Sequence, residues 1–139
     1  MTIRMTLALS ALLLCSPLVH AHDEATMAAM KAPHGGQLKM AGWYHFELVQ
    51  QGRKAVLYIT DHAGVAKPSA GVKGELSTVS NGKTQTLTLS PAKPNLLQGQ
   101  WASAPAKGAT IQAKITFPDG RSEQTSFGPA AAMDHSQHH

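Results

Sequence analysis

Two neighbouring stretches of this chain carry the period of a strand. Tyr44, Phe46 and Leu48 are interleaved with His45 and Glu47, and Ala55, Leu57 and Ile59 with Val56, Tyr58 and Thr60. A period of two sends successive side chains to opposite faces of an extended backbone, so one face of each stretch turns to a core. Gln51-Gly52 between them predicts a tight hairpin. Similar segments follow at Val72–Val79, Lys83–Leu89, Asn95–Trp101, Ala109–Phe117 and Arg121–Phe127, separated by turn residues that include Asn81-Gly82, Ser90-Pro91 and Asp119-Gly120. Asn-Gly and Asp-Gly tolerate the positive φ that short hairpin loops need. Seven or so antiparallel strands at this spacing predict an all-β domain, either a small antiparallel β-sandwich of immunoglobulin-like shape or a partly open barrel. No helix longer than a turn or two is expected inside it. Met40, two strand positions from Leu38, is expected in the core, and Trp43 and Trp101 read as packing or interface residues, with a cation-binding ring left open for Trp43 beside His45.

The start of the chain has a different pattern. Arg4 precedes an apolar run, Leu7 to Leu14, broken only by Ser10, and Val19-His20-Ala21 offers a small-residue cleavage site. This is the layout of a secretory signal cut after Ala21. The run is less than half of the roughly 20 apolar residues that a membrane-spanning helix needs. The expected organisation is residues 1–21 as signal peptide, 22–31 as a flexible lead, 32–128 as the β-domain and 129–139 as a disordered His-rich tail. No membrane anchor is expected after cleavage.

Composition narrows the chemistry. The single cysteine, Cys15, lies in the signal, so a mature chain of about 118 residues has no disulfide and no thiolate ligand or nucleophile. Cleavage removes one basic side chain and no acid, leaving eleven Lys and Arg against eight Asp and Glu. The excess is spread singly along the chain, without the basic cluster and interleaved aromatics of a nucleic-acid surface. The chain has no Gly-x-Ser-x-Gly, no His-Glu-x-x-His and no phosphate-binding loop. An enzyme is not expected.

Histidine is where the chemistry concentrates. The last seven residues hold Met133, Asp134, His135, His138 and His139, three imidazoles with a thioether and a carboxylate. Imidazoles suit Cu(II), Ni(II), Zn(II) and Co(II), and a thioether suits Cu(I). A solvated polar tail is the plain alternative. Within the domain, His45 and Glu47 are two apart and so share a face, read as an exposed one. The Gln51-Gly52 hairpin brings Asp61-His62 back toward His34-Gly35-Gly36, which permits a grouping of His34, His45 and His62 with a carboxylate nearby. Asp61-His62-Ala63-Gly64 is equally an ordinary turn, with the aspartate capping its own backbone. His34 beside two glycines is equally a turn leading into the first strand. Met27 and Met30 in the lead are candidate soft ligands or plain flexible apolar residues.

Three of these segments together carry a resemblance. Ala32-Pro33-His34-Gly35-Gly36-Gln37, then Gly42-Trp43-Tyr44-His45-Phe46-Glu47-Leu48-Val49, then Val56-Leu57-Tyr58-Ile59-Thr60-Asp61-His62-Ala63-Gly64 form an ordered run. It resembles the N-terminal "PHGG" β-domain of the periplasmic adaptor subunits of RND-type heavy-metal efflux systems, also found as free-standing small proteins associated with metal resistance. The match covers about 35 residues, with Pro94-Asn95-Leu96-Leu97 following in pattern only. The resemblance implies a periplasmic protein of transition-metal homeostasis. The long helical hairpin and lipoyl-like segments of a full adaptor are missing from this chain, so an adaptor's bridging role is not implied.

The expectation is therefore a periplasmic protein that binds copper, zinc, nickel or cobalt and buffers it or delivers it to an adaptor or pump of an efflux system. Its candidate ligands are His34, His45, Glu47, His62, Met133, Asp134, His135, His138 and His139. The competing expectation is a protein-interaction module of an envelope assembly in which metal plays no part.

Overall fold

The computed structural model describes residues 31–129, which form eight strands and no helix. They are β1 (Gln37–Ala41), β2 (Tyr44–Gln51), β3 (Lys54–Asp61), β4 (Lys73–Ser80), β5 (Lys83–Ala92), β6 (Leu96–Gln100), β7 (Ile111–Thr116) and β8 (Ser122–Phe127). All pairings are antiparallel, in the order β1-β2-β3-β6-β5-β4-β7-β8. The two outermost strands, β1 and β8, come back against each other, so the sheet nearly closes into a barrel. The all-β expectation holds, with β1 as an eighth strand beyond the seven segments picked out by alternation.

Local chemistry accounts for most of the boundaries. Ser80 pairs with Lys83, and Asn81 and Gly82 between them have φ of 52° and 73°. Two successive left-handed residues make the hairpin turn whose twist matches its strands. Asp119 closes the β7–β8 connection by accepting from the Arg121 backbone N–H at 3.0 Å and its Nε at 2.7 Å. One boundary departs from the sequence reading. Ser90-Pro91, which by composition predicts a turn, lies inside β5: residues 83–89 of that strand pair with β4, and Ser90, Pro91 and Ala92 pair with β6. The proline costs the ladder one donor but not the strand, because β5 changes neighbour there. One strand thus turns the corner between the two halves of the sheet.

The core is the set of inward positions predicted by the period. Phe46, Leu57, Ile59, Leu76, Leu97, Ile115 and Trp101 are all fully buried. Trp101 donates its indole N–H to Gln50 Oε1 at 2.9 Å, so its one polar atom is satisfied inside. Arg53 and Trp101 exchange two further bonds, Trp101 N–H to the Arg53 carbonyl and Arg53 Nε–H to the Trp101 carbonyl, both 2.8 Å.

The alternation fails in one place, and there two expectations are corrected. Along β2, His45, Phe46, Glu47 and Leu48 are all buried. His45 and Glu47 do share a face opposite the core, as the spacing requires, but that face is not exposed: they retain 6% and 3% of their accessible surface. The reason is tertiary, since chain from outside the sheet is laid over it. Met40 is the converse case, expected in the core but 37% exposed on the outer face. It pairs with His45, so it looks the same way as His45 and away from Phe46.

Candidate metal centre

The outer face of β1, β2 and β3 is organised in cross-strand rows. Leu38, Glu47 and Tyr58 are register partners in one row, and Met40, His45 and Thr60 in the next. Adjacent rows on one face are about 7 Å apart. His34 covers the first row from the segment before β1. His62, just past β3, covers the second.

The first row is held by a carboxylate. Glu47 Oε2 accepts the backbone N–H of His34 at 2.8 Å and of Gly36 at 2.9 Å, while Oε1 lies 2.8 Å from His34 Nδ1. The His34 ring stacks on Tyr58 with centroids 3.7 Å apart and planes within 2°. A buried acid would be costly alone, and here three donors satisfy it. Gly36 has to be glycine, because a Cβ there would collide with the Leu48 carbonyl. With Nδ1–H directed at Glu47, the lone pair of His34 is on Nε2, on a side chain that is 45% exposed. A carboxylate holding one imidazole nitrogen so that the other can reach a metal is a frequent arrangement around metal ions.

The second row brings two imidazoles together. The rings of His45 and His62 stack with centroids 5.0 Å apart, and the Trp43 ring lies 6.3 Å from His62, tilted by 40°. His62 Nε2 is 3.1 Å from the Gly42 carbonyl. A carbonyl only accepts, so Nε2 carries the proton and Nδ1 the lone pair. The imidazole hydrogen bonds among the described residues are those of His34 and His62; none reaches the ring of His45. Burial lowers the pKa of His45 below its ordinary value of 6.5, the neighbouring His62 lowers it further, and Asp61 pulls the other way. The neutral form, the one that ligates metals, is favoured.

The expected trio is therefore divided into two pairs, His34 with Glu47 and His45 with His62. Asp61 is engaged elsewhere. Its Oδ1 accepts from Ala63 and Val65 N–H, both at 2.9 Å, and Oδ2 pairs with Lys67 at 3.2 Å. These contacts, the Val65 bond foremost, hold its pKa below the usual carboxylate value. Among the described residues no three His, Cys, Asp or Glu side chains are disposed to hold a metal ion together. Met133, Asp134, His135, His138 and His139 lie outside the described residues, as do residues 1–21 and Met27 and Met30.

Comparison with protein-family models, with curated proteins and with solved structures finds no match. The fold and the site must be read from this chain's own residues. All three segments of the ordered motif run meet on this one face: Pro33–Gly36 and Glu47 in the carboxylate lock, Tyr58 beneath it, and Asp61–Gly64 in the capped turn that presents His62. Much of the motif thus has a structural role independent of any ion. Met40, Trp43 and Tyr58 were not among the candidate ligands. Recognising Gly42-Trp43 as a two-residue turn would have put Met40 opposite His45 from the sequence alone, because such a loop fixes the register.

Two surface hollows of about 380 and 360 Å³ lie in the other half of the sheet, lined by residues such as Thr78 and Gln112 in one and Lys73 and Ser90 in the other. Neither is lined by a histidine.

Proposed function

We propose that this protein is exported to the periplasm, binds a transition metal ion there, and buffers it or hands it to an adaptor or pump of a heavy-metal efflux system. The observation that carries this reading is the His45–His62 pair: two stacked imidazoles on the outer face of a strand pair, one nearly buried and favoured in its neutral form. The signal-like start and the histidine, methionine and aspartate content of residues 133–139 support it from the sequence. In this proposal His135, His138 and His139 capture the ion with help from Met133 and Asp134, and the domain receives it. Glu47 serves as the group that orients His34, because both of its oxygens are already engaged. Catalysis has no part in the proposal.

Calorimetric titration with Cu(II), Zn(II), Ni(II) and Co(II) tests it. Binding at micromolar Kd or better, about −8 kcal/mol, is expected near pH 7.5 and should weaken by at least about tenfold near pH 5, where protons compete for imidazole. Absence of binding by all four ions, and by Cu(I) under reductant, overturns it.

The second reading is a docking module in an envelope assembly, with metal irrelevant. It is favoured by Trp43, which is 73% exposed, since exposed tryptophans commonly anchor protein interfaces. It predicts a partner captured equally well when every histidine is replaced by alanine, and lost on Trp43→Ala.

A further inference from the structure

We infer that Met40, His45 and His62, flanked by Trp43, form a site selective for a soft monovalent ion, Cu(I) or Ag(I); this deepens the metal-binding reading and rests on it. Met40 is the register partner of His45, which puts the Cβ atoms of the two within about 5.5 Å on the same face. His62 completes the group through its ring contact with His45. The donors are then two imidazole nitrogens and one thioether sulfur, all neutral.

Three features make that set suit a soft ion better than zinc. Thioethers select Cu(I) over the harder divalent ions. Structural zinc takes four ligands, whereas a monovalent d10 ion is satisfied with two or three, and among the described residues no further His, Cys, Asp or Glu is disposed to join. The carboxylates of β2 and β3 are already engaged, Asp61 by the Ala63 and Val65 amides and Lys67, Glu47 by His34 and Gly36, and the Glu123 carboxylate lies against Gly42. With Asp61 and Glu47 both engaged, a single positive charge is easier to hold at a half-buried site than a double one. Trp43 adds an aromatic ring at the rim, where a cation within about 6 Å of its face is attracted by the ring quadrupole. This also gives a use to two features the core does not need, the exposed thioether of Met40 and the exposed indole of Trp43.

The test uses the full chain carrying Met133→Ala, His135→Ala, His138→Ala and His139→Ala, labelled with 13C at the methionine methyls and titrated with Ag(I) as a redox-inert probe. The expected result is one equivalent bound, with the Met40 methyl resonance shifting and tryptophan emission quenched. Met40→Leu, at an exposed position where folding is not at risk, should lower the ratio of Ag(I) to Zn(II) affinity by at least about tenfold, and Trp43→Leu should abolish the quenching. An unchanged ratio in Met40→Leu overturns the soft site but leaves an imidazole site standing. Loss of all Ag(I) binding on replacing Met133, His135, His138 and His139, with the unsubstituted chain still binding metal, likewise overturns this inference and leaves the broader reading intact. If the unsubstituted chain binds none of the ions, both readings fall.

Discussion

The two halves of this sheet solve the same problem differently. In β4 and β7 the inward positions Leu76, Ala113 and Ile115 are buried, and the outward ones, Glu75, Gln112 and Lys114, stand in water. Among the described residues no other segment is laid over those outer side chains, and the hydrogen bond that Gln112 accepts from Ser126 Oγ is an exposed one. In β2 the outward positions are buried as well, and each polar side chain there is held by, or stacked on, something brought from elsewhere in the chain. The comparison shows that an alternating strand specifies only one of its faces. What happens on the second face depends on whether another segment is laid over it.

The largest effect should come from the ordinary core. Leu76→Ala, fully buried in the regular half, is expected to cost about 3 kcal/mol by lost burial and residual cavity, seen as a lower denaturant midpoint with an unchanged slope. Glu47→Ala should come next, at about 2 kcal/mol, because three donors lose their acceptor. Its signature is graded: amide exchange at His34 and Gly36 accelerates more than exchange in β4 and β7. If Glu47→Ala leaves both amides protected, the covered face is held by something other than the carboxylate, and the contrast drawn between the halves fails.

A smaller effect separates the halves by pH. His45 has a lowered pKa when folded, so just below its ordinary value of 6.5 the unfolded chain binds a proton that the folded chain refuses. The metal-free protein should therefore lose stability as pH falls from about 7.5 to about 5, and His45→Gln should flatten that slope. In the regular half the corresponding group is Asp119, whose pKa is lowered by the Arg121 backbone N–H and then by the Arg121 side chain. Its contribution is present at neutral pH and fades only as pH falls below its ordinary value of 3.8, so Asp119→Asn should matter only in that acidic range. Denaturant midpoints measured across pH for the three proteins distinguish these windows. The smallest effect is expected from Gln112→Ala, on the open face of β7, within about 0.5 kcal/mol.

Local chemistry was legible in the sequence and non-local contact was not. Asn81-Gly82 announces its hairpin because the turn conformation is a property of those two residues; Gln51-Gly52 marks the β2–β3 hairpin one residue early, since Gln51 pairs with Lys54 and the loop is Gly52-Arg53. The inward faces of β3 and β4 follow from period alone. Ser90-Pro91 misled because a proline usually ends a strand, and only the exchange of neighbours from β4 to β6 explains its place within β5. Met40 misled because Leu38 and Met40 share a face, but that face is the outer one. His45 and Glu47 were placed on the correct side of β2, yet their burial depends on His34 and His62, thirteen and seventeen residues away along the chain. No periodicity reports which loop will fold back over a sheet.

Because β5 belongs to both ladders, neither half can melt without stripping hydrogen bonds from the other. An ion that binds only the folded form therefore stabilises the whole domain, not only the face that holds it. Amide protons in the β4–β5 hairpin, strands away from His45 and His62, become remote gauges of occupancy on the other side of the sheet.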